Sequence, residues 1–395
     1  MNAPDAAPSE SVFVPSRQWL GLAAAIASAS IVGIVLSGIA PLLALNLERE
    51  GLDSIWNGLM GATPSLAMMS ITAFIPLIIR RIGAAPSIYA GSGLALVMLL
   101  LFPFIDFVPA WFLLRFVMAL GIGLTFVVSE TWINAMARPE KRGSVMGVYV
   151  SVLCAGLSTG PLLISSTGSE GVLPFVVIAT VLLVAILPIP LASRSGAPAL
   201  RDHAVMPMRR AFSQAPVVMV AGLLNGAIWL AILALLPVYG VRSGLKENQA
   251  LFLLTAYVIG NIGFQFPIGR LLDRWSAPLI LAGCGFTQVL GALAMPLVAR
   301  EGALGWLILL IWGGSLGGVY TSAMTMLGRA FKTEQLSGAS SAFNLAFEIG
   351  AVSGPLLAGL GMRIWNPHGM LVVIGAAGVG LACFGLRPFG AMRRI

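Results

Sequence analysis

Three charged residues sit where an apolar helix offers them no water: Arg115 in LLRFVMALGIG, Glu130 in VVSETWIN and Glu348 in LAFEIGAVSG. A charge at such depth costs a few kcal/mol, so residues of this kind usually face a cavity or a partner and have a function. Glu348 lies about twelve residues into its apolar run, near the middle of a bilayer. No cation is close to it in sequence. A carboxyl there can load and release a proton or meet a polar solute; the plainer alternative is an interhelical hydrogen bond. Glu130 stands roughly two turns before Arg138 and Lys141. It is either part of a structural ion pair at a helix rim or a second coupling or substrate group. Arg115 precedes Glu130 by fifteen residues (130 − 115), about 22 Å of helix, so the two cannot pair along it. Arg115 either snorkels to the headgroups, poises the acids, or holds an anionic group of a solute.

Polar and aromatic side chains recur at helical spacing around these charges. Tyr257, Asn261 and Gln265 repeat every four residues, Asn225 precedes Trp229 by one turn, and Asn344 precedes Glu348 by one turn. Trp312 and Tyr320 lie two turns apart. Apolar walls with a few placed polar groups describe a small-molecule pocket. Each amide alone could equally be helix glue, worth about 1 kcal/mol. Gly160-Pro161 and Gly354-Pro355 interrupt two further runs; proline bends a helix and glycine lets helices close on one another. Gly269, Asp273 and Arg274 in GRLLDRWS form either a solvated turn or a gate, with the carboxylate docked on a neighbouring helix N-terminus.

Other chemistries find no support. GLSTG, residues 156 to 160, has the G-x-S-x-G spacing of hydrolases, but it lies in an apolar run without the strand and histidine partner that motif needs. His203 and His368 lack metal-ligand spacing to anything, and Cys154, Cys284 and Cys383 fall within apolar runs, so neither a metal site nor a disulfide framework is expected. No Gly-Lys-Ser/Thr phosphate loop is present. The expectation is a protein that is not an enzyme and holds no cofactor.

The elements that must position these residues follow from composition. Of 395 residues, 58% are hydrophobic and 10% charged, with a mean hydropathy of +0.95; a soluble chain carries about 25% charged residues. Apolar runs of about 20 residues recur throughout, each enough to span a bilayer. They give twelve spans, at about 19–45, 55–79, 86–105, 110–137, 144–167, 172–192, 216–240, 248–272, 277–299, 303–328, 337–361 and 367–387. Residues of roughly 193–215, SRSGAPALRDHAVMPMRRAFSQA, read as a cytoplasmic linker between six-helix bundles at roughly 19–192 and 216–387, with tails at roughly 1–18 and 388–395. The apolar run after Trp19 is too long for a signal h-region, so no cleaved leader is expected. Cytoplasmic termini leave only Arg49, Arg242, Lys246, Arg300 and Arg363 on the far side, as the positive-inside rule requires. Basic loops against an anionic leaflet explain the net charge of +8 without nucleic acid.

The halves also repeat. GPLL at Gly160 recurs at Gly354 (354 − 160 = 194), and Pro86 aligns with Pro278 at nearly the same offset (278 − 86 = 192). Six spans per unit keep the two copies in parallel orientation. With its six-span units, GRLLDRWS, the RFVMALGIG pattern of Arg115 and the glycine-proline stretch AGLSTGPLL, the chain resembles the Major Facilitator Superfamily over essentially its whole length. The first-half loop IIRRIGAAP keeps the basic residues of the signature but lacks its acid. The resemblance implies a monomeric secondary transporter in the plasma membrane (the inner membrane of a Gram-negative cell), working by alternating access on a small-molecule substrate, with Asp273 helping to hold the cytoplasmic side shut; no dense acidic sodium site is visible in the sequence, so the proton is the expected coupling ion. Aromatics beside amides fit uptake of a flat nutrient such as riboflavin; drug or metabolite efflux is the rival, and a non-transporting sensor or scaffold is the reading from another class.

Overall fold

The computed structural model describes residues 15–72, 74–136, 142–187, 207–298, 303–331 and 333–386. Residues 1–14 of the N-terminal tail, the C-terminal tail, most of the linker, and Arg138 and Lys141 after Glu130 lie outside the described residues. Within them every long element is an α-helix: α1 (Pro15–Arg49), α2 (Ser54–Thr72), α3 (Ile75–Ile82), α4 (Ala84–Leu101), α5 (Val108–Met136), α6 (Arg142–Thr167), α7 (Leu173–Ile186), α8 (Met208–Gln214), α9 (Pro216–Arg242), α10 (Glu247–Gly263), α11 (Gln265–Arg274), α12 (Ala277–Val298), α13 (Ala303–Ala330), α14 (Thr333–Ile364) and α15 (Gly369–Gly385). Eight stretches among the described residues are long and apolar enough to cross a bilayer. Helices satisfy their own backbone groups, which hydrocarbon cannot do for them.

Two runs that read as single spans are each two helices. α2 ends before Phe74 and α3 resumes with Pro76 in its first turn; α10 ends at Gly263 and α11 begins at Gln265, two residues before Pro267. Proline lacks an N–H and pushes the residue before it away from the helical region, so a break precedes each one. The two prolines lie 191 apart (267 − 76), close to the repeat offset, so both copies of the repeat carry the same break. At the end of α3, Gly83 turns the chain into α4 with φ +87°, a conformation costly for any residue with a Cβ.

Apolar side chains gather in two cores. One runs from Val32 to Ile186 on α1 to α7, with Leu251 of α10 at its edge, and the other is built by α8 to α15, with Ala40 and Ala44 of α1 at its edge. Across the seam between them, α2 packs against α14, α6 against α10, and α9 against α1 and α2. Glycines set how closely the helices approach. A methyl on Gly160 would collide with Ser37 and the Gly38 backbone of α1, and one on Gly354 with the Ala227 backbone of α9. The repeated Gly-Pro pairs therefore seat α6 and α14 on the first long helix of their own core. Pro161 is buried beside Gly160, and Pro355 reaches across the seam to Gly58 and Gly61 of α2. The outer skin is apolar as well: Leu113, Leu293 and Leu297 are 65%, 70% and 72% exposed, as hydrocarbon permits.

Candidate functional site

The seam is tied at one end by polar clasps from helix termini. Glu48, near the end of α1, takes both oxygens to Arg242 at the end of α9, at 2.7 and 2.8 Å. Arg242 also donates to Asn366 at 3.2 Å. Next to it, Arg49 pairs with Glu247 at the start of α10 and hydrogen-bonds Ser169, whose hydroxyl donates in turn to Glu247. A third clasp joins Asp53 to Arg363 at 3.1 Å, and Ser54 donates to the Gly359 carbonyl at 2.9 Å. Tyr239, one turn before Arg242, lies 3.3 Å from the Nδ1 of His368. The three ion pairs Glu48–Arg242, Arg49–Glu247 and Asp53–Arg363 each link one core to the other, while Arg242–Asn366 and Tyr239–His368 brace the second core from within. The opposite end differs: Asp273 and Arg274 are exposed, and among the described residues Asp273 forms no ion pair. Gly269 touches nothing that a side chain would disturb, and Arg270 lies over the Phe266 ring at 4.2 Å.

Between the ends the seam holds the acids. Glu348, on the face of α14 toward α2, lies beside the Ser65 hydroxyl, and its Oε2 has no hydrogen-bond partner. Ser65 is two turns down α2 from Gly58, as Glu348 is two turns of α14 from Pro355, so the pair lies below the tight crossing of those helices. Glu130 of α5 is close enough to Tyr149 of α6 and to Tyr320 of α13 for its charge to act on both. Tyr320 stacks edge-on against Phe343 of α14 at 5.9 Å. Glu130 thus reaches a side chain of the other core. Asn344 is exposed one turn from Glu348, and Trp229 is half-buried against the second core. Asn225 is buried, and its Oδ1 lacks a partner.

The other predicted pocket residues are dispersed. Tyr257 and Trp312 are fully buried and meet edge to face at 5.2 Å. Gln288, also fully buried, donates to the Trp312 carbonyl at 3.0 Å and to Ser315 at 2.7 Å. These side chains form a cluster among α10, α12 and α13, inside one core. Trp312 and Tyr320 do not share a face, because eight residues rotate a helix by about 80°. Nor do Tyr257, Asn261 and Gln265 share one helix, since the break at Phe264 separates Gln265 from the other two; Asn261 and Gln265 both pack against Gly317 of α13. Arg115 does not snorkel: it is 3% exposed, its Nε lacks a hydrogen-bond partner, and among the described residues it forms no ion pair. Sequence reasoning missed Ser65, Tyr149, Gln288 and the clasp residues. The clasps had a signal: Glu48, Asp53 and Glu247 cluster with Arg49, Arg242 and Arg363 in the few loops on the weakly basic side.

Two helical cores inside an apolar skin, clasped at one end, with acids along the seam between them, form the frame of a membrane transporter. Comparison with known proteins gives the family. The Major Facilitator Superfamily model matches residues 19–355 and 244–391, and the chain belongs to that superfamily, as a multi-pass secondary transporter of the inner membrane. The chain is 23% identical over 356 residues to the MFS-type transporter YfkF of Bacillus subtilis (strain 168), covering 87% of this chain and 89% of that one. It is 25% identical over 360 residues to the MFS-type transporter YcaD of Shigella flexneri serotype 5b (strain 8401), with the same coverage. Among solved structures, the nucleoside transporter NupG superposes with a TM-score of 0.75 at 11% identity, over 96% of this chain and 99% of NupG. A bacterial homologue of the human lysosomal transporter Spinster, solved inward-facing and unoccupied, superposes with a TM-score of 0.72 at 13% identity, over 94% of this chain and 95% of that one.

Proposed function

We propose that this chain carries a small organic solute across the membrane by alternating access, coupled to protons through Glu348. Twelve spans form two parallel six-span units, and the loops rich in Lys and Arg face the cytoplasm. On that orientation the clasped end is the outer one and the unpaired Asp273–Arg274 end is the inner one, so the structure is the inward-facing state.

The observation that carries the coupling is the position of Glu348. It sits on a seam that must part, beside Ser65 of the opposite unit and with one oxygen unpartnered. Rocking one unit against the other changes the water around this acid, and its hold on a proton changes with hydration. A proton taken up in one state is released in the other. Glu130, facing Tyr320 across the same seam, is the second acid exposed to this change. Gly354 and Pro355 give α14 a close seat on α9 and α2 about which the units can turn.

Asn225, Asn344, Trp229 and Tyr320 are the predicted pocket residues placed to meet a solute from the seam. Tyr257 and Trp312, enclosed within one core, act as its scaffold. A flat aromatic vitamin therefore loses two of the rings that favoured it. The test is proteoliposomes loaded with a pH-sensitive dye and given solute mixtures under an imposed pH gradient. Solute-dependent proton movement in wild type that disappears in Glu348→Gln is the expected result. Proton movement unchanged by the substitution rules out Glu348 as the coupling acid.

A further inference from the structure

Near the clasps, the lipid-facing side of the seam is cut by a groove of about 550 Å³. Trp56, Leu59 and Leu66 of α2, Phe112 and Leu113 of α5, and Leu356 of α14 line it. Trp56 to Leu66 is about 15 Å of helix, the hydrocarbon depth of one leaflet. The hydroxyl of Thr63, also in the lining, already donates to the Leu59 carbonyl at 2.8 Å. Trp56 marks the end nearest the clasps, and an indole belongs at the headgroup boundary. Charges lie over that end. α2 and α14 run antiparallel, with Gly58 on Leu356 and Ser54 on Gly359, so Arg363 stands beyond Leu356 toward the clasps. Seven residues nearly complete two turns, which puts Arg363 on the same face as Leu356. The same position follows from α2, because Arg363 pairs with Asp53, three residues before Trp56. Both side chains stay open to a ligand, at 61% and 38% exposed. α5 runs parallel to α2, with Trp56 on Phe112 and Met68 on Gly123. Exposed Asp106, two residues before α5, therefore lies at this end too. On the three helices that line the groove, the headgroup level thus carries two acids and one cation.

We propose that this groove seats an acyl chain of a phosphatidylethanolamine molecule and that the bound lipid favours the clasped state. Its phosphate meets Arg363, and its ammonium meets Asp53 or Asp106. The chain fits because the groove is apolar, one leaflet deep and open to hydrocarbon. Apolar packing gives little selectivity among lipids, so the headgroup decides which one stays. A phosphatidylglycerol would bring a net anion to a level already richer in acids, and phosphatidylcholine has no N–H to donate to a carboxylate. The effect on the state follows from Leu356, the wall supplied by the second unit. A chain in the groove touches both units fully only while α2 and α14 are in contact, and a ligand stabilises the state that binds it better. The inference goes beyond the carrier reading and holds whatever solute is carried.

The test uses purified full-length protein in phosphatidylcholine nanodiscs doped with phosphatidylethanolamine or phosphatidylglycerol, each carrying a photoreactive diazirine in one acyl chain. Adducts are mapped by peptide mass spectrometry. Phosphatidylethanolamine is expected to label the groove stretches of α2 and α5 about threefold more than phosphatidylglycerol does. Leu113→Trp fills the groove from its exposed rim and lowers that labelling by about tenfold. Leu293→Trp, at a comparably exposed leucine outside the groove, leaves it unchanged. Arg363→Gln lowers it by about threefold, and Asp53→Asn with Asp106→Asn removes the preference over phosphatidylglycerol. Spin labels across the clasped end read the second half of the proposal: unlabelled phosphatidylethanolamine enlarges the close population of wild type and leaves Leu113→Trp unmoved. Equal labelling by the two lipids, labelling that survives Leu113→Trp, or a close population indifferent to phosphatidylethanolamine each overturns the proposal. A dimer in native mass spectrometry that cross-links through Leu59 and Leu113 would give the groove to a second copy of the chain and overturn it as well.

Discussion

The two ends of the seam are built differently, and the difference shows how such a bundle closes. At the clasped end, three ion-pair groups cap a contact between glycine and proline backbones, Gly58 and Gly61 on Pro355, with Gly359 on Ser54. Charge and packing coincide there. At the opposite end Arg270, Asp273 and Arg274 are exposed, and among the described residues the three form no ion pair; Arg270 lies over its own helix neighbour Phe266. A half-exposed ion pair is worth about 0–1 kcal/mol, so the clasps alone cannot hold the bundle shut. Close helix packing supplies the bulk of the closure, and the ion pairs fix its register. An end with modest clasps can open when a solute or a proton shifts the balance by a few kcal/mol.

The strongest way to break the comparison is to make one end permanent. Glu48→Cys with Arg242→Cys, in a chain without its three native cysteines, can be bridged by a short bifunctional thiol reagent. Transport is expected to stop on bridging and to return when a cleavable reagent is reduced. Bridged vesicles that still transport would show that the clasped end does not open in the cycle.

Next in size is the pair of acids. Glu348→Gln should abolish accumulation against a gradient while solute exchange between two pools persists, because exchange needs no net proton movement. Glu130→Gln should slow both without removing coupling, since Glu130 acts beside Tyr149 and Tyr320. Measuring exchange and accumulation in parallel sharpens the assignment, and the opposite pattern would exchange the roles of the two acids.

Below that comes packing. Gly58→Ala puts a methyl into the Pro355 carbonyl, and overpacking of this kind costs about 1–3 kcal/mol. The cost falls only on the state in which α2 and α14 are in contact. Spin labels on the two units at the clasped end are expected to show a larger separated population in this variant. Gly269→Ala, with open space around the glycine, should leave that population unchanged.

How much of this was legible in the sequence depends on the kind of contact. The helical spans and the duplicated Gly-Pro pairs were readable because membrane insertion and close helix approach leave local marks. Partners across the seam were not: Ser65 and Glu348 lie 283 positions apart (348 − 65), and nothing local points from one to the other. The face of each span was hidden for a physical reason. Lipid and protein core are both apolar, so Leu293 toward lipid and Trp312 toward the core carry the same signal. Tyr257 and Trp312 therefore read as pocket aromatics although they are enclosed in one core. The breaks before Pro76 and Pro267 were legible in principle, since each proline sits inside its apolar run. Arg115 was legible as a charge out of place, but its burial with no ion pair among the described residues was not.

The smallest expected effect isolates a single clasp. Asp53 and Arg363 pair at 3.1 Å with side chains 38% and 61% exposed, whereas Glu48 and Arg242 are engaged through both carboxylate oxygens with side chains 20% and 15% exposed. Asp53→Asn should change the clasped population by less than about 1 kcal/mol, and added salt should erase the difference. Arg242→Gln should have the larger effect and resist salt, because the less exposed pair is screened less and Glu48 loses both hydrogen bonds. Unfolding and label-distance measurements at two salt concentrations separate the cases. Equal effects from the two substitutions would mean that burial does not rank these clasps, and that the Gly58–Pro355 contact alone sets the closure of this end.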